Sequence, residues 1–535
     1  MAKSLKRIAL VVTVGTLLSK FAGLARQLVI AAAFGVGAAY DAYNYAYVLP
    51  GFLLILLGGI NGPFHSAMVS VLSRRPREEG AYLLAALNTT VSAVLVLVTG
   101  LMVIAADPLI TLVGPALSPE LHDIAVVQLK VMAPMALLAG LIGLGFGSLN
   151  AANEFWLPAV SPLMSSLALI LGISLLWWHL GPEIASSRYA LLGGISLALA
   201  TLLGAFLQWL IQIPALFRAG LAKIRLIWDW RHPGVREVWG VMGPATLSSG
   251  MLQINVFTDL FFASAIQGAA AGLGYANLLV QTPLGLISNA LLVPLLPTFS
   301  RLTAREDRPL LVARVRQGLM LSIVTMVPLG ALFVALGAPI VELVYERGAF
   351  DAQAAKLVTG LLMAYGLGMP AYLARDVLVR VFYALGDGTT PFRFSLAGIG
   401  LNVIFDWLLV GGPSPWGSTL PFDFGAPGLV LATVAINVIT CAGLLFALHQ
   451  RLDGLPLRAW AIDTWKLVIA GILSGLVAWL LSNTGELSQG FVGLLFKLGI
   501  ASGTGLALFS LIATGLKVPE MRDLNSLLRK KIIRR

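Results

Sequence analysis

Polar and charged side chains inside apolar segments are the candidate functional residues of this sequence. The first segment, centred near residue 20, holds Ser19, Lys20 and Arg26. A charge inside a membrane is costly unless it faces a partner, water or a cavity. Two cations lining a hydrated cavity would suit a phosphate-bearing headgroup, because arginine offers a planar fork to phosphate oxygens. In the alternative, these side chains extend towards lipid headgroups, which suits Arg26 better than Lys20.

The second half of the chain offers acids and amides instead of cations. Asn402 and Asp406 are four residues apart and so share a helix face, while Asp259 and Thr433 lie in two other apolar segments. Carboxylate, amide and hydroxyl oxygens suit a hard cation such as sodium, and a buried carboxylate could also carry a proton. These residues therefore predict a coupling-ion site. In the alternative, each polar group caps or hydrogen-bonds a neighbouring helix.

A further charged group, Arg375, Asp376 and Arg380, lies near the cytoplasmic end of its predicted segment. Adjacent opposite charges and the i,i+4 spacing permit internal pairing, so we expect a structural or gating pair, with substrate contact as the alternative. Enzyme signatures are missing from the sequence, which has five histidines, the single cysteine Cys441, no phosphate-binding Gly-Lys loop and no nucleophile-elbow serine. We expect a transporter without a cofactor, and sodium is the only metal expected.

Composition predicts the elements that must position these residues. Hydrophobic residues make up 58% of the 535 positions, charged residues make up 11%, and the mean hydropathy is +0.88. Such a chain is a polytopic membrane protein. Its apolar stretches are each about 20 residues or longer, enough to cross roughly 30 Å of hydrocarbon as helices. We predict an all-α fold with about 14 transmembrane helices, centred near residues 20, 55, 93, 138, 168, 205, 250, 285, 322, 367, 402, 438, 472 and 503.

Basic residues recur in almost every second connection between these segments, as in Arg74 and Arg75, and again in the tail 517–535. The positive-inside rule therefore places both termini in the cytoplasm. The net charge of +11 is explained by this asymmetry and by attraction to anionic membrane lipids, so no nucleic-acid partner is expected.

A faint duplication runs through the chain with an offset of about 231 residues. Asp107–Val113 is echoed by Ala338–Val344, and Tyr45-Ala46 is echoed by Tyr275-Ala276. An even number of spans in each copy predicts two parallel six-helix repeats around a central cavity, followed by an extra helical pair. The predicted parts are an N-terminal half at 1–219, a cytoplasmic linker at 220–231, a C-terminal half at 232–452, helices 13 and 14 at 453–516, and a basic tail at 517–535.

Short motifs spread over most of the first twelve spans carry a family resemblance. They are Ser19-Lys20 with Gly23-Leu24-Ala25-Arg26, Phe34-Gly35, Asp41-Ala42, Leu49-Pro50, Leu149-Asn150-Ala151, Leu296-Pro297 with Ser300-Arg301, Glu346-Arg347-Gly348-Ala349-Phe350, and Phe382-Tyr383-Ala384-Leu385-Gly386-Asp387 with Thr390-Pro391. In them the chain resembles the MurJ (MviN) lipid II flippases of the multidrug, oligosaccharidyl-lipid and polysaccharide exporter superfamily.

The resemblance implies that the protein moves lipid II, an undecaprenyl-pyrophosphate-linked disaccharide-pentapeptide, between leaflets of the bacterial cytoplasmic membrane by alternating access. It implies a headgroup-binding role for Ser19, Lys20 and Arg26, and a gate at Asp41. Some family members are described with a sodium site, and its counterparts here are Asp259, Asn402, Asp406 and Thr433. The implied partners are lipid II, anionic lipids and the cell-wall synthesis machinery, with the protein acting as a monomer.

The chain departs from the family where charges are expected in spans one, two and eight. In span two an arginine and then a glutamate are expected after Leu49-Pro50, where this chain reads Gly51-Phe52-Leu53-Leu54 and Gly58-Gly59-Ile60-Asn61-Gly62. Gln27 stands where an acid commonly follows the arginine of the first span, and Leu278 and Gln281 stand near the positions of an arginine and a glutamate. Either Lys20 and Arg26 suffice together with helix dipoles and amides, or the chain carries another lipid-linked glycan. A drug or small-solute antiporter of the same superfamily and a non-transporting membrane scaffold are further alternatives.

Overall fold

The computed structural model describes residues 5–59, 62–221, 225–251, 254–302, 304–411, 422–484, 490–516 and 518–521. Contacts divide the chain into two compact units. Unit 1 comprises Met1–Ala271 and Arg347–Asp351, and unit 2 comprises Gly272–Glu346 and Ala352–Arg535. The predicted basic tail lies outside the described residues except for 518–521.

Helices make up almost all of the described chain. The helices up to the unit boundary are α1 Leu5–Phe34, α2 Ala38–Gly58, α3 Pro63–Leu72, α4 Arg77–Ile104, α5 Ala106–Val113, α6 Pro119–Met132, α7 Met135–Ala151, α8 Trp156–Val160, α9 Pro162–Leu180, α10 Ala190–Leu210, α11 Ile213–Arg218, α12 Pro233–Met251 and α13 Ile254–Ala263. The later helices are α14 Ala269–Ser300, α15 Arg308–Tyr345, α16 Ala352–Ala384, α17 Thr389–Leu409, α18 Ala426–Arg451, α19 Leu457–Asn483 and α20 Phe491–Gly515.

The predicted membrane spans correspond to these helices. Among the described residues, ten spans are long and apolar enough to cross a membrane, and there are up to eleven if α6 and α7, which are bent by 41° at their junction, form one span. The centres predicted near residues 55, 250 and 285 lie in α2, α12 and α14. Helix α2 is not among the ten spans, because Asp41, Asn44 and several tyrosines lower its hydropathy. The prediction of an all-α, multi-pass membrane protein is confirmed, and fourteen crossings are compatible with these helices.

The duplication recurs in the helix boundaries. Helices α2 and α14 begin at residues 38 and 269, and helices α4 and α15 begin at residues 77 and 308, so both pairs start 231 residues apart. The first copy is broken at Ala105, between α4 and α5, where the second copy continues as the single helix α15. The two copies therefore share their helix positions and differ in where the helices break.

Small residues let the helices of unit 2 approach closely. Helices α15 and α16 pack along their length, and a Cβ on Gly330 would lie 2.3 Å from the carbonyl oxygen of Gly366. Van der Waals packing of this kind replaces the hydrophobic effect between helices in lipid. A side chain at Gly330 would force the two backbones apart.

The extra helical pair is joined to α15 by a cluster of charges. The guanidinium of Arg316 on α15 donates to the Asp463 carboxylate on α19 at 2.8 Å and to Glu520 at 2.5 Å. Lys466 also pairs with Asp463 at 3.0 Å. Helices α19 and α20 therefore belong to the packing of unit 2.

The predicted linker is attached to α4. The Ile227 N–H donates to the Thr89 hydroxyl at 3.1 Å, and the Tyr82 hydroxyl donates to Asp229 at 3.1 Å. The intervening side chain of Trp228 points outward and is 67% exposed. Lys223, also assigned to the linker, lies outside the described residues.

The Asp387 side chain caps the N-terminus of α17. Its carboxylate accepts hydrogen bonds from the Thr389 and Thr390 N–H groups at 3.1 and 3.0 Å, and it pairs with Arg451. The Thr390 N–H is the main cause that lowers the pKa of this carboxyl below its usual value, and Arg451 contributes to the lowering. This part of the Phe382–Asp387 motif therefore has a structural role.

We expect Asp387→Ala to lower the free energy of unfolding by about 1 kcal/mol, because the N-cap is lost. Asp387→Asn is the matched control, since an amide oxygen can still cap the helix while the ion pair with the half-exposed Arg451 contributes little. The difference should be measured by thermal unfolding in detergent. Because the folded-state pKa is lowered, the contribution of the carboxylate is full above the ordinary aspartate pKa and is lost as the pH falls through the folded value. Equal stability of the native protein and Asp387→Ala would contradict the capping role.

Candidate functional site

Arg26 lines a cavity of about 140 Å³ inside unit 1, between α1, α2, α7, α9 and α10. Its Nε is buried and has no hydrogen-bond partner among the described residues. A buried polar atom of this kind calls for a ligand or an ordered water. The remaining lining residues are Gln27, Ile30, Tyr40, Tyr43, Asn44, Tyr47, Leu54, Met135, Ser165, Leu169, Thr201 and Ala205.

Three tyrosines of α2 form a stacked ladder along this cavity. The ring centroids of Tyr40 and Tyr43 are 5.9 Å apart, and those of Tyr43 and Tyr47 are 5.3 Å apart, with interplanar angles of 16° and 14°. Sequence reasoning missed these residues. The available signal was their spacing of three and four residues, which places them on one helix face next to the first-span arginine.

Hydrogen bonds hold the first two rings of the ladder. The Gln27 Nε2 donates to the Tyr40 hydroxyl at 2.5 Å, and the Tyr43 hydroxyl lies 3.0 Å from the Thr201 Oγ1. Gln27, which departs from the acid common in the family, therefore binds a tyrosine and does not neutralise Arg26. Among the described residues, Arg26 has no ion pair.

Ser19 and Lys20 do not line the cavity of Arg26. The Ser19 hydroxyl donates to the carbonyl oxygen of Ala159 at 2.9 Å, which joins α1 to α8. The Lys20 side chain is exposed at the surface of unit 1. The structure therefore does not bring Ser19, Lys20 and Arg26 into one site of unit 1, and the headgroup roles of Ser19 and Lys20 stay predictions.

Asp41 binds the N-terminus of α14. The side chain is 2% exposed, and its carboxylate accepts hydrogen bonds from the N–H groups of Gly268 at 3.2 Å and Ala271 at 2.9 Å. A carboxylate at a helix N-terminus is favoured by the helix dipole and by the free N–H groups of the first turn. Asp41 also lines a second cavity, of about 360 Å³, together with Ser118, Glu120 and Ser264.

Two motifs of the family resemblance meet close to Asp41. The Ala349 N–H donates to the carbonyl oxygen of Ala32 at 2.8 Å. A Cβ on Gly348 would lie 2.3 Å from this oxygen, and a Cβ on Gly35 would lie 2.3 Å from the carbonyl oxygen of Ala349. Both glycines also have positive φ angles, +62° and +52°. We call this backbone-to-backbone contact between residues 32–35 and 348–349 the glycine clasp.

The predicted coupling-ion residues are distributed over both units. Asn402 and Asp406 on α17 are fully buried in unit 2, where the Asn402 Nδ2 donates to the Asp406 Oδ2 at 2.6 Å. Thr433 lies on the adjacent helix α18, and its carbonyl oxygen accepts from Asn437 at 2.7 Å. Asp259 belongs to unit 1. The predicted i,i+4 neighbours Asn402 and Asp406 are therefore in contact, while the ion site itself stays a prediction.

The charged side chains of α16 make the following contacts within unit 2. Arg375 contacts Asp376 at 3.0 Å, and both side chains are partly exposed. The Arg380 guanidinium donates to the carbonyl oxygen of Leu292 at 2.8 Å, shortly before Pro294 and Pro297 in α14. Arg380 thus joins α16 to α14, and these contacts are of the structural kind. A gating role for the group stays a prediction.

Residues 30–500 match the model of the family described as lipid II flippase MurJ. A probable lipid II flippase MurJ of Synechocystis sp. is 50% identical over 536 residues, covering 100% of this chain and 98% of that protein. The lipid II flippase MurJ of Burkholderia cenocepacia is 29% identical over 497 residues, covering 90% of this chain and 91% of that protein.

Solved structures share the fold. A lipid II flippase MurJ in an inward closed conformation superposes with a TM-score of 0.74 at 23% identity, covering 95% of this chain and 100% of that chain. An inward-facing multidrug resistance MATE family transporter of the MOP superfamily superposes less closely, with a TM-score of 0.56 at 15% identity, covering 81% of this chain and 94% of that chain.

Gly348→Ala should open the glycine clasp, because the new Cβ meets a backbone carbonyl that cannot rotate away. Gly220→Ala is the matched control in the same unit, since Gly220 also has a positive φ, +72°, but a Cβ there would have no neighbouring atom within 4 Å. We expect Gly348→Ala to lower the free energy of unfolding by about 1–3 kcal/mol more than the control does. Thermal unfolding in detergent measures the difference, and equal losses would show that the clasp is not tightly packed.

Proposed function

Because the chain belongs to the lipid II flippase MurJ family, we propose that it moves lipid II across the membrane by alternating access. The 50% identity over the whole chain to a probable flippase of this family supports the proposal most strongly. The observation within the structure that supports it is Arg26, which lines a cavity without an acidic residue, whose Nε is buried without a hydrogen-bond partner, and which has no ion pair among the described residues. A lipid-linked diphosphate supplies the negative charge that this site lacks.

Asp41 and the glycine clasp form the outer gate in this proposal. Asp41 uses both carboxylate oxygens to hold the first turn of α14. The clasp fixes residues 347–351 against the end of α1 through one hydrogen bond and close backbone contact. These contacts must break when the carrier opens outward, and they can re-form without a bound ligand.

Coupling to a sodium ion or a proton is proposed for the buried couple of Asn402 and Asp406. A fully buried carboxylate is rare in a membrane protein and is commonly linked to ion or proton movement. Its oxygens, the amide oxygen of Asn402 and the hydroxyl of Thr433 are the donors that a sodium ion prefers. Asp259, which belongs to unit 1, stays a predicted coupling residue.

The drug-antiporter alternative is less well supported. The MATE transporter superposes with a lower TM-score and covers less of this chain than the MurJ structure does. We place the protein in the bacterial inner membrane with both termini in the cytoplasm and the exposed Trp228 at the lipid interface. Anionic lipids and the cell-wall synthesis machinery are its proposed partners, and the monomer is the proposed functional unit.

Arg26→Ala should reduce lipid II on the outer leaflet at least tenfold, because the cavity loses its charge. The variant should be expressed in cells depleted of their own flippase, and outer-leaflet lipid II should be assayed by an externally added probe. Arg188→Ala removes an exposed arginine that lies over the partly exposed Tyr189 ring, and it is the control for a change in net charge. Unchanged transport by folded Arg26→Ala would reject the headgroup site.

Asp406→Asn should abolish the part of transport that responds to an imposed cation gradient. The amide is nearly isosteric and its oxygen can still accept from Asn402, so the fold should persist. Transport should be followed in proteoliposomes with and without a sodium or proton gradient. Asp453→Asn, which removes an exposed partner of Arg308, is the control. A gradient response equal to that of the native protein would exclude Asp406 from coupling.

A further inference from the structure

The cavity of Arg26 contains a hydroxyl that the packing of unit 1 leaves unused. Tyr47 lines the cavity, stacks on Tyr43 and makes no hydrogen bond within the described part of the chain. Helix α2 carries no basic residue. The Tyr47 hydroxyl is therefore a neutral hydrogen-bond donor in the cavity of Arg26, on a helix that carries no basic residue.

The neighbouring hydroxyls are engaged elsewhere. Thr201 donates its proton to the carbonyl oxygen of Leu197 at 2.7 Å, so the proton between Tyr43 and Thr201 comes from Tyr43. Tyr40 accepts the amide proton of Gln27. These bonds fix two rings of the ladder, and stacking on Tyr43 then orients the third ring, that of Tyr47, without using its hydroxyl.

Gly51 makes room for the ring of Tyr47. A Cβ at this position would lie 2.4 Å from the Tyr47 Cε1. Gly51 lies in the part of span two that reads Gly51-Phe52-Leu53-Leu54 in place of charged residues. The ring of Tyr47 thus occupies the space that a side chain at residue 51 would need.

The lining of the cavity indicates the chemical group that it can hold. The cavity has a volume of about 140 Å³ and is lined by one guanidinium, by hydroxyls and by amides, without a carboxylate. Such a lining suits an anionic group such as a phosphate. A hydrogen bond from a neutral phenol to an anionic oxygen is charge-assisted and stronger than one between neutral groups.

We propose that Tyr47 donates a hydrogen bond to the diphosphate of the lipid-linked substrate beside Arg26, and that Tyr40, Tyr43 and Gln27 position it. This inference rests on the proposed function. Tyr47 thereby compensates for part of the missing basic charge in span two. The Arg26 guanidinium contributes positive charge, and the Tyr47 hydroxyl contributes a directional hydrogen bond. The anion is thus bound from both α1 and α2.

The test is binding of undecaprenyl diphosphate, undecaprenol and inorganic pyrophosphate to the purified full-length protein, measured by native mass spectrometry. Tyr47→Phe keeps the ring and removes only the hydroxyl, and it should weaken binding of undecaprenyl diphosphate about tenfold while binding of undecaprenol is unchanged. Gly51→Ala, which displaces the same ring, should weaken binding similarly. Tyr189→Phe, outside the cavity, is the control and should bind as the native protein does.

The outcomes separate this inference from the proposed function. Weakened binding in Arg26→Ala with native binding in Tyr47→Phe would overturn the role of Tyr47 and leave the flippase proposal intact. Native binding in both variants would overturn the headgroup site itself. Inorganic pyrophosphate that binds as well as the lipid-linked form, with the same dependence on Tyr47, would overturn the assignment to a lipid.

Discussion

A guanidinium inside an apolar bundle is stable only where polar groups or a ligand replace the water that it loses. Arg26 imposes this condition on the middle of unit 1. Four of the five surrounding helices supply tyrosine, threonine, serine and amide groups to one small cavity, and its lining contains no acid. Most of these groups bond to one another, as Tyr40 does with Gln27 and Tyr43 with Thr201. The cavity is therefore polar around the arginine without a carboxylate that would neutralise its charge, which is the basis of the proposed anion site.

In the proposed transport cycle, the anion is released when its surroundings change, and the contacts near Asp41 are the ones proposed to break. They consist of N–H groups and carbonyl oxygens held at short range by glycines 35 and 348, together with one carboxylate on a helix N-terminus. Contacts of this type have a well-defined closed geometry.

Much of the fold could be predicted from the sequence, because a transmembrane helix is marked by the hydropathy of a whole segment and not by single residues. Every predicted span centre falls within a helix, and the offset of the duplication reappears in the starts of α2, α4, α14 and α15. Arg26 could be singled out because an intramembrane cation is rare. Tyr47 could not, since a tyrosine in a membrane helix is ordinary until its neighbours are known. Ser19 and Lys20 lie in the same helix as Arg26 but do not line its cavity.

The residues alone identify a helical membrane protein of the MurJ family with a rare intramembrane arginine and a rare intramembrane acid beside an amide. The folded chain specifies which groups contact them. Asp41 binds N–H groups 227 and 230 residues away, and the glycine clasp joins residues more than three hundred positions apart. Backbone donors and acceptors are the same at nearly every position of a chain. Asp41 and glycines 35 and 348 could therefore be noted in the sequence, but only the folded geometry specifies which backbone groups they meet.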